Sequence, residues 1–286
     1  LSPSCGSEGC EVAEPGALLP RGRHGLSQAN TREIDGTRIG DSNVELTPIG
    51  KRQAILAGER LLQEDPHFLE QNVLDSTGRQ ESGTLIYASP YMRTRQTLAG
   101  IVSAAPTWLK TYEDPRLREV EWGYNQPKDY GDTVDAMQDI HGKFFFRMEG
   151  GESPADGYDR ISGFIATLMR QVERKKSNKV LIVSHGLTIR CFAMRFMHLL
   201  VEEFDAITTP KHCDIITISN EKDMKMEQTA QFQTGQWSIR GLRLPTDPGP
   251  QRWPRNCHFC NKENVIWPDL TKREARCESC RIIICF

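Results

Sequence analysis

An α/β fold with a largely parallel sheet is predicted by two features of the sequence. Short apolar runs rich in Val, Ile and Leu alternate with longer segments in which apolar residues recur at helical spacing. Two of the helical segments follow a hydroxyl residue and a proline, which is typical of a helix start. Strands that alternate with helices form parallel sheets with helices on both faces. We therefore expect a three-layer α/β/α sandwich with a largely parallel central sheet, followed by a small C-terminal zinc-ribbon-like tail.

The first helix is predicted to begin after Thr47, because a hydroxyl side chain caps a helix and Pro48 suits its first position. Its apolar side chains at helical spacing are Ile49, Leu56 and Leu61–Leu62. We expect these apolar side chains to face the core.

A strand over residues 84–87 and a helix over residues 91–103 are predicted next, with Ser89 and Pro90 as the start signal of the helix. A longer helix is predicted over residues 157–176. Its apolar residues at helical spacing are Ile161, Phe164, Ile165, Leu168 and Val172.

Two further strands are predicted over residues 179–183 and 214–218, which are apolar and rich in β-branched residues. The first of them runs directly into Ser184-His185-Gly186 and another apolar helix. These elements complete the alternation of strands and helices.

The composition is that of an ordinary globular protein. Hydrophobic residues make up 38% of the chain and charged residues 26%, which disfavours a disordered or collagen-like chain. The 36 Lys and Arg nearly balance the 38 Asp and Glu, so the net charge of −2 gives no reason to expect nucleic acid as a partner. The longest apolar runs are far shorter than the roughly 18 residues of a membrane-spanning helix. We therefore expect no membrane span.

Four segments are predicted along the chain. Residues 1–16 would be a flexible leader, residues 17–243 the main domain, residues 244–256 a proline-rich linker and residues 257–286 a cysteine-rich tail. The N-terminal residues are a poor secretory signal, and five of the nine cysteines are crowded between Cys257 and Cys285. Crowded pairs favour metal binding over disulfides, so a reducing, cytoplasmic location is expected.

Histidine, arginine and glutamate residues cluster near the ends of the predicted strands. The segments are Arg23-His24-Gly25, residues 89–93, Leu117-Arg118-Glu119 and Ser184-His185-Gly186. Ligands bind at the carboxyl edge of open α/β sheets, and two guanidiniums suit a phosphate dianion. A neutral imidazole could attack phosphorus, and a nearby carboxylic acid could protonate the departing oxygen. The sequence therefore predicts a site for phosphoryl transfer.

The main domain resembles the histidine phosphatase superfamily, also called phosphoglycerate mutase-like, in its phosphatase branch. The matching segments are residues 23–30, 46–54, 89–97, 117–123, 151–153 and 183–186. They occur in the order of the family and span most of residues 17–220.

The resemblance implies that His24 is the nucleophile and forms a phosphohistidine. Arg23, Arg93 and His185 would bind the phosphoryl group, with Gly186 among the substrate-binding residues at the start of a helix. No metal or cofactor is implied for catalysis, because arginines and helix dipoles would hold the charge.

For the remaining roles, the resemblance implies that Asn30 helps to line the substrate mouth. Glu119 would protonate the leaving group and then act as base for the hydrolytic water. Glu121 is the alternative acid, although in an extended segment it would point to the opposite face.

The residues before Arg23 depart from the family pattern. Pro20 and Gly22 disfavour the central strand that is expected to lead into this motif. Either that strand is distorted or the preceding sequence is not native.

Phosphatase activity is favoured over mutase activity by two positions. Phosphoglycerate mutases have a Trp where this chain has Ala29, and a Gly-Trp step where it has Ile39-Gly40. The expected substrate is a small phosphorylated molecule or a phosphoprotein, and no motif selects between them. The alternatives are a phosphoglycerate-type mutase, or a catalytically silent phosphate-pocket scaffold that binds partners through its tail.

The tail contains two Cys-x-x-Cys pairs sixteen residues apart, formed by Cys257, Cys260, Cys277 and Cys280. Four thiolates at this spacing are typical of a tetrahedral structural zinc site, although four incidental cysteines are the alternative. Such a tail would suit a protein partner. Residues 251–286 contain seven Lys and Arg against four Asp and Glu, which is too small an excess to favour nucleic acid.

Overall fold

The computed structural model describes most of the main domain and three short segments of the tail. The described residues are 24–31, 39–71, 73–74, 80–81, 83–103, 105, 109–123, 130–175, 177, 179–220, 231–234, 237–244, 265–266, 274–277 and 283–285. The predicted leader, Arg23 and almost all of the predicted linker lie outside these residues, as do Cys257, Cys260 and Cys280.

Six helices and eleven strands are present in the described part of the chain. The helices are α1 (Pro48–Glu64), α2 (Met92–Val102), α3 (Tyr130–His141), α4 (Pro154–Lys175), α5 (Gly186–Met197) and α6 (Val201–Ala206). The strands are β1 (Val73–Leu74), β2 (Gln80–Glu81), β3 (Leu85–Ala88), β4 (Thr111–Glu113), β5 (Val180–Val183), β6 (Thr217–Asn220), β7 (Phe232–Thr234), β8 (Trp237–Arg240), β9 (Val265–Ile266), β10 (Glu274–Cys277) and β11 (Ile283–Cys285). Single 3-10 turns cover Asp41–Asn43 and Pro115–Leu117.

The parallel sheet has the order β4–β3–β5, with Ile86 of β3 beside Thr111 of β4 and Leu181 of β5. Strands β6, β8 and β7 form a separate antiparallel sheet. The strand predicted over residues 214–218 is therefore wrong in its bounds and is not part of the parallel sheet. The tail strands pair as β11–β10–β9, all antiparallel, and β1 pairs with β2.

Helices cover both faces of the parallel sheet. Leu85 and Tyr87 of β3 pack into one core cluster with residues of α4 and α5, such as Phe164 and Leu187. The alternate β3 residues, Ile86 and Ala88, pack into a second cluster with residues of α1 and α2, such as Ala54 and Leu98. This alternation follows from the twofold period of a strand. The prediction of a mixed α/β fold with a parallel sheet is confirmed.

Helix α1 begins as predicted but buries a partly different face. The Thr47 hydroxyl accepts a hydrogen bond from the Gly50 amide at 3.1 Å, and Pro48 is the first helical residue. Ile49 and Leu56, however, are 62% and 48% exposed, so the predicted apolar face is wrong at these two positions. Leu61 is buried as predicted, and Leu62 packs against the same core cluster. The buried residues of this helix are Gly50, Ala54, Ala57, Gly58 and Leu61. Small residues allow α1 to lie close against α2, and this contact, not side-chain hydrophobicity, selects the buried face.

The long helix predicted over residues 157–176 is confirmed as α4, which starts three residues earlier, at Pro154. A cavity of about 760 Å³ lies elsewhere, between β5 and the segment that leads into β6. Its mostly apolar lining does not include His24, Arg93, Glu119 or His185. None of the helices in the described part of the chain is long and apolar enough to cross a membrane.

Candidate active site

Three of the predicted motifs lie at the carboxyl edge of the parallel sheet. Ser89 directly follows β3, and Ser184 and His185 directly follow β5. Leu117 ends the 3-10 turn that follows β4, and Arg118 and Glu119 come directly after it. The parallel pairing of these strands therefore brings their ends together at one edge, which is where α/β sheets bind ligands.

His24 is held as a neutral imidazole with the lone pair on Nε2. The residue is only 2% exposed. Nδ1 lies 2.7 Å from the carbonyl oxygen of Gly25, which can only accept a hydrogen bond, so Nδ1 carries the proton. Nε2 accepts a hydrogen bond of 3.1 Å from Nε of Arg93, and a guanidinium can only donate. Both contacts therefore favour the tautomer that an Nε2 nucleophile requires.

The backbone around His24 packs directly on the first turn of α1. A side chain on Gly25 would overlap the carbonyl oxygen of Gly50, and a side chain on Gly50 would overlap the carbonyl oxygen of Leu26. The Gly25 amide also donates to Thr97 Oγ1 of α2 at 3.0 Å. The two motif glycines thus permit a close backbone approach that fixes the position of His24.

Arg93 lies in the first turn of α2 and is only 5% exposed. Its Nη1 and Nη2 donate to the two carboxylate oxygens of Asp41 at 2.8 and 2.9 Å, and Nη1 also donates to the Asp41 carbonyl oxygen at 2.6 Å. The Tyr91 ring lies 4.8 Å from the guanidinium carbon. Arg93 is therefore held by His24, Asp41 and Tyr91 together. The sequence analysis did not find Asp41, because nothing in its local sequence marks it as a site residue.

His185 is fully buried, and its ring meets the His24 ring edge to face at a centroid distance of 5.4 Å. Its Nε2 shares a hydrogen bond of 2.7 Å with the Ser89 hydroxyl. Ser89 was predicted to be the N-cap of α2, but the N-cap residue is Tyr91, whose side chain makes no capping hydrogen bond. The Ser89 hydroxyl accepts from the Tyr91 amide at 3.4 Å and positions His185, so the predicted N-cap is wrong.

Helix α5 begins at Gly186, immediately after His185, and the side chain of its N-cap residue His185 makes no capping hydrogen bond. Arg93 and His185 therefore both lie at the N-termini of helices whose N-cap side chains make no capping hydrogen bond. Amide groups and the positive end of the dipole at such termini favour an anion.

Glu119 is buried and Glu121 is exposed. Burial raises the pKa of the Glu119 carboxyl, opposed by a hydrogen bond from the Val120 amide and by the positive charge of Arg93. Glu119 Oε1 accepts from that amide at 3.0 Å and lies 3.3 Å from the Thr188 hydroxyl oxygen, whereas Oε2 has no hydrogen-bond partner within the described part of the chain. The Glu121 side chain is 46% exposed and lies 3.9 Å from Arg118. Burial thus keeps the Glu119 carboxyl protonated to a higher pH than an ordinary glutamate.

The segment that carries Glu119 is held by the end of β5 and the start of α5. The Ser184 hydroxyl donates to the Leu117 carbonyl oxygen at 2.8 Å, and the Thr188 hydroxyl donates to the Arg118 carbonyl oxygen at 2.7 Å. These contacts tie Glu119 to the loop that contains His185.

Glu152 holds the same segment from the other side. Its carboxylate accepts hydrogen bonds from the side chains of Arg118 and Arg160 and, at 3.2 Å, from the Glu121 amide. Arg160 Nη1 also donates to the Arg116 carbonyl oxygen at 2.6 Å. Glu152 belongs to a family segment to which the sequence analysis assigned no role, and here it anchors the residues on both sides of Glu119.

Asn30 lies beside the histidines and is engaged through its side-chain oxygen. Oδ1 accepts from the Ser27 amide and hydroxyl at 3.2 and 2.7 Å and lies 3.1 Å from Nε2 of His212. The His212 ring is 5.9 Å from the His24 ring, measured between centroids. The structure thus brings together His24, Arg93, His185 and, at the periphery, Asn30. Arg23 lies outside the described residues.

The predicted metal ligands are not brought together within the described residues. Cys277 lies in β10, and the other three lie outside the described part. In the regions that the structure describes, no group of three or more His, Cys, Asp or Glu side chains could hold a metal ion.

Comparison with known proteins identifies the family to which this chain belongs. Residues 22–230 match the model of the histidine phosphatase superfamily, branch 1. The chain is 30% identical to the phosphoglycerate mutase-like protein AT74 of Arabidopsis thaliana, over 87% of this chain and 81% of that protein. It is 24% identical to the broad-range acid phosphatase DET1 of Saccharomyces cerevisiae, over 77% of this chain and 90% of that protein.

The fold is similar to that of a mycobacterial glucosyl-3-phosphoglycerate phosphatase, with a TM-score of 0.54 at 21% identity, covering 78% of this chain and 95% of that chain. The chain belongs to the histidine phosphatase superfamily. The predicted family and the predicted class of enzyme, a phosphatase, are confirmed.

Proposed function

We propose that this chain hydrolyses phosphomonoesters through a phosphohistidine formed on His24. The observation that carries the proposal is the buried neutral ring of His24, whose Nε2 lone pair faces the guanidinium of Arg93. The fully buried ring of His185 adjoins it. A nucleophile, two phosphate-binding groups and an acid are therefore available at one edge of the sheet.

In the first half of the reaction, His24 Nε2 attacks phosphorus and the bond from phosphorus to the ester oxygen breaks. The leaving oxygen takes the proton of Glu119, whose pKa burial raises, so the alcohol departs neutral. Arg93, His185 and Arg23 would stabilise the charge that develops on the phosphoryl oxygens.

In the second half, the Glu119 carboxylate takes a proton from water, and the resulting hydroxide attacks the phosphohistidine. The bond from nitrogen to phosphorus breaks, inorganic phosphate leaves, and His24 returns to the neutral form that the Gly25 carbonyl oxygen stabilises. The acid of the first step is thus the base of the second.

The charge in this scheme is held by protein groups and needs no metal ion. Arg93 offers a buried fork of donors, and the helix starts at Met92 and Gly186 add amide groups and helix dipoles. We therefore expect activity without a catalytic metal or cofactor.

Hydrolysis is favoured over mutase activity by Ala29 and by Ile39-Gly40, where the mutases differ. The name of the yeast relative, a broad-range acid phosphatase, also supports hydrolysis. The name of the Arabidopsis relative, a phosphoglycerate mutase-like protein, is the reason to test the mutase alternative as well. A catalytically silent scaffold is disfavoured because His24, Arg93, Glu119 and His185 are all present. The substrate is proposed to be a small phosphorylated molecule or a phosphoprotein, in a cytoplasmic setting.

The test is to incubate the purified chain with p-nitrophenyl phosphate, with and without EDTA, and with 2- and 3-phosphoglycerate. We expect release of p-nitrophenol that EDTA does not reduce, because Arg93 and the histidines hold the phosphoryl group. Interconversion of the phosphoglycerates that outruns phosphate release would support the mutase instead. Absence of turnover on every phosphomonoester would support the scaffold.

We further propose that Cys257, Cys260, Cys277 and Cys280 bind one structural zinc ion, on the basis of their spacing. A site closed by four thiolates has no open position for water and would not take part in catalysis. Elemental analysis is expected to find about one zinc ion per chain. Removal of residues 245–286 is expected to leave turnover of p-nitrophenyl phosphate within about twofold, since these residues would contribute a partner-binding tail and not the catalytic groups.

A full-length protein that contains no zinc after purification without chelators would contradict the zinc site. Loss of turnover in a truncated protein that is still folded, judged by thermal unfolding, would contradict the independence of the tail. The tail would then contribute to the active site.

A further inference from the structure

The side chain of Asp41 occupies the part of the Arg93 guanidinium where a phosphoryl group would bind. Both Nη atoms of Arg93 donate to the Asp41 carboxylate in the bidentate arrangement that a phosphoryl group would adopt. Nη1 donates in addition to the Asp41 carbonyl oxygen, and Nε donates to His24. At most one of the five N–H groups of this guanidinium is left for a substrate while Asp41 stays in place.

The two partners of this ion pair differ in their freedom to move. The Arg93 side chain is 6% exposed and lies against His24 and the Tyr91 ring, so it has no solvated alternative position. The Asp41 side chain is 54% exposed and projects from a single 3-10 turn that follows Gly40. A carboxylate that is half in water can leave the guanidinium at small cost, because water replaces the lost hydrogen bonds.

We propose that Asp41 competes with phosphate for Arg93 and thereby sets the affinity of the site for phosphoryl groups. In the free enzyme its carboxylate fills the guanidinium fork, and it moves into solvent when a phosphoryl group binds. Arg93 stays paired with an anion before and after the exchange, and the competition weakens the binding of every ligand that binds Arg93 through a phosphoryl group. Substrate and inorganic phosphate are weakened alike, so the return of Asp41 also assists product release. This inference rests on the proposed function, because it assumes that phosphate binds at Arg93.

The opposite role would be a permanent support, in which Asp41 keeps its contact with Arg93 while phosphate binds elsewhere on the guanidinium. The two roles predict opposite effects of the same substitution. Loss of a competitor strengthens phosphate binding, whereas loss of a support weakens it.

The experiment is a titration of the full-length protein with inorganic phosphate by calorimetry, for the wild type, Asp41→Asn and Glu45→Gln. Asp41→Asn keeps the shape of the side chain and removes its charge. Glu45→Gln removes the same formal charge from an exposed carboxylate of the same loop, which accepts from Gln96 at 3.1 Å and does not touch Arg93. It therefore controls for general electrostatics.

We expect the Kd of phosphate to fall about tenfold in Asp41→Asn, because the competing contact that is lost is one charge-assisted hydrogen-bonded pair. In Glu45→Gln we expect the Kd to fall less than about twofold. The KM for p-nitrophenyl phosphate should fall with the Kd. A Kd for Asp41→Asn that is unchanged or increased would overturn the proposal, as would an equal fall in both variants. Asp41→Ala, compared by thermal unfolding, supplies a second variant should Asp41→Asn not fold.

Failure of the proposed function is separable from failure of this inference, because phosphate binding is measured without turnover. A protein that binds phosphate and hydrolyses esters, with an unchanged Kd in Asp41→Asn, overturns the inference alone. A protein that binds phosphate more tightly as Asp41→Asn but hydrolyses no ester overturns the proposed function and supports competition at Arg93. A wild type and an Asp41→Asn variant that both fail to bind phosphate overturn the inference.

Discussion

Replacing His24 by alanine is expected to lower kcat for p-nitrophenyl phosphate by about 10⁴-fold or more, since the variant lacks the atom that accepts the phosphoryl group. The other groups of the site would remain, because Arg93 is also held by Asp41 and Tyr91, and His185 by Ser89. The variant should therefore still bind inorganic phosphate while it fails to turn over substrate. Steady-state kinetics and phosphate calorimetry on the same preparation measure both properties.

The matched control is His67→Ala, which removes a histidine whose side chain is 74% exposed and contacts Glu70. Its kcat is expected to stay within about twofold of the wild type, as for other exposed substitutions. Turnover of His24→Ala at the rate of the wild type would remove His24 as the nucleophile. Equal losses in both variants would indicate a general effect on folding.

Glu119→Gln is expected to lower kcat by about 10²–10⁴-fold for an alkyl phosphate, whose alkoxide must be protonated as it leaves. The loss should be smaller for p-nitrophenyl phosphate, because p-nitrophenolate is a far weaker base and departs with less help. A general loss of structure would reduce both rates equally. The ratio of the two losses therefore measures the role of Glu119 as an acid.

The pH dependence follows from the direction of the pKa shift. Burial raises the pKa of Glu119, so its carboxyl stays protonated to a higher pH than an ordinary glutamate. The acid form is required in the first step, so kcat for an alkyl phosphate should decline as pH rises through this raised pKa. In Glu119→Gln the decline should disappear from the residual activity.

Glu121→Gln is the control that separates the two candidate acids. The Glu121 side chain is 46% exposed and lies near Arg118, away from the buried pocket of Glu119. Its substitution should change neither the leaving-group ratio nor the pH profile. If Glu121→Gln produces the leaving-group effect and Glu119→Gln does not, Glu121 is the acid.

Much of the fold could be predicted from local patterns. The strand at β5 and the helix at α4 were found from apolar runs and helical spacing, with bounds displaced by one to three residues. Thr47 was found as a helix cap because a cap depends on contacts within one turn. These features depend on contacts between residues that are close in sequence, so a single stretch of sequence is enough to predict them.

The buried face of α1 could not be predicted in the same way. Ile49 and Leu56 are more hydrophobic than Gly50, Ala54 and Ala57, yet the small residues are buried. Their burial depends on how closely α2 approaches, and α2 lies about forty residues further along the chain. Hydrophobic spacing alone contains no information on that distance.

The sequence by itself determined the family and the chemical groups of the site. Arg-His-Gly, the segment with Arg93, the segment with Glu119 and Ser-His-Gly occur in family order, and parallel strands bring their ends to one edge of the sheet. Only the tertiary structure decided how these groups are paired. Asp41 meets Arg93 across 52 residues, Ser89 meets His185 across 96, and Glu152 meets the Arg118 side chain across 34. The physical reason is that a hydrogen bond requires a separation of about 3 Å, and for residues this far apart in sequence only the packing of the whole domain sets that distance.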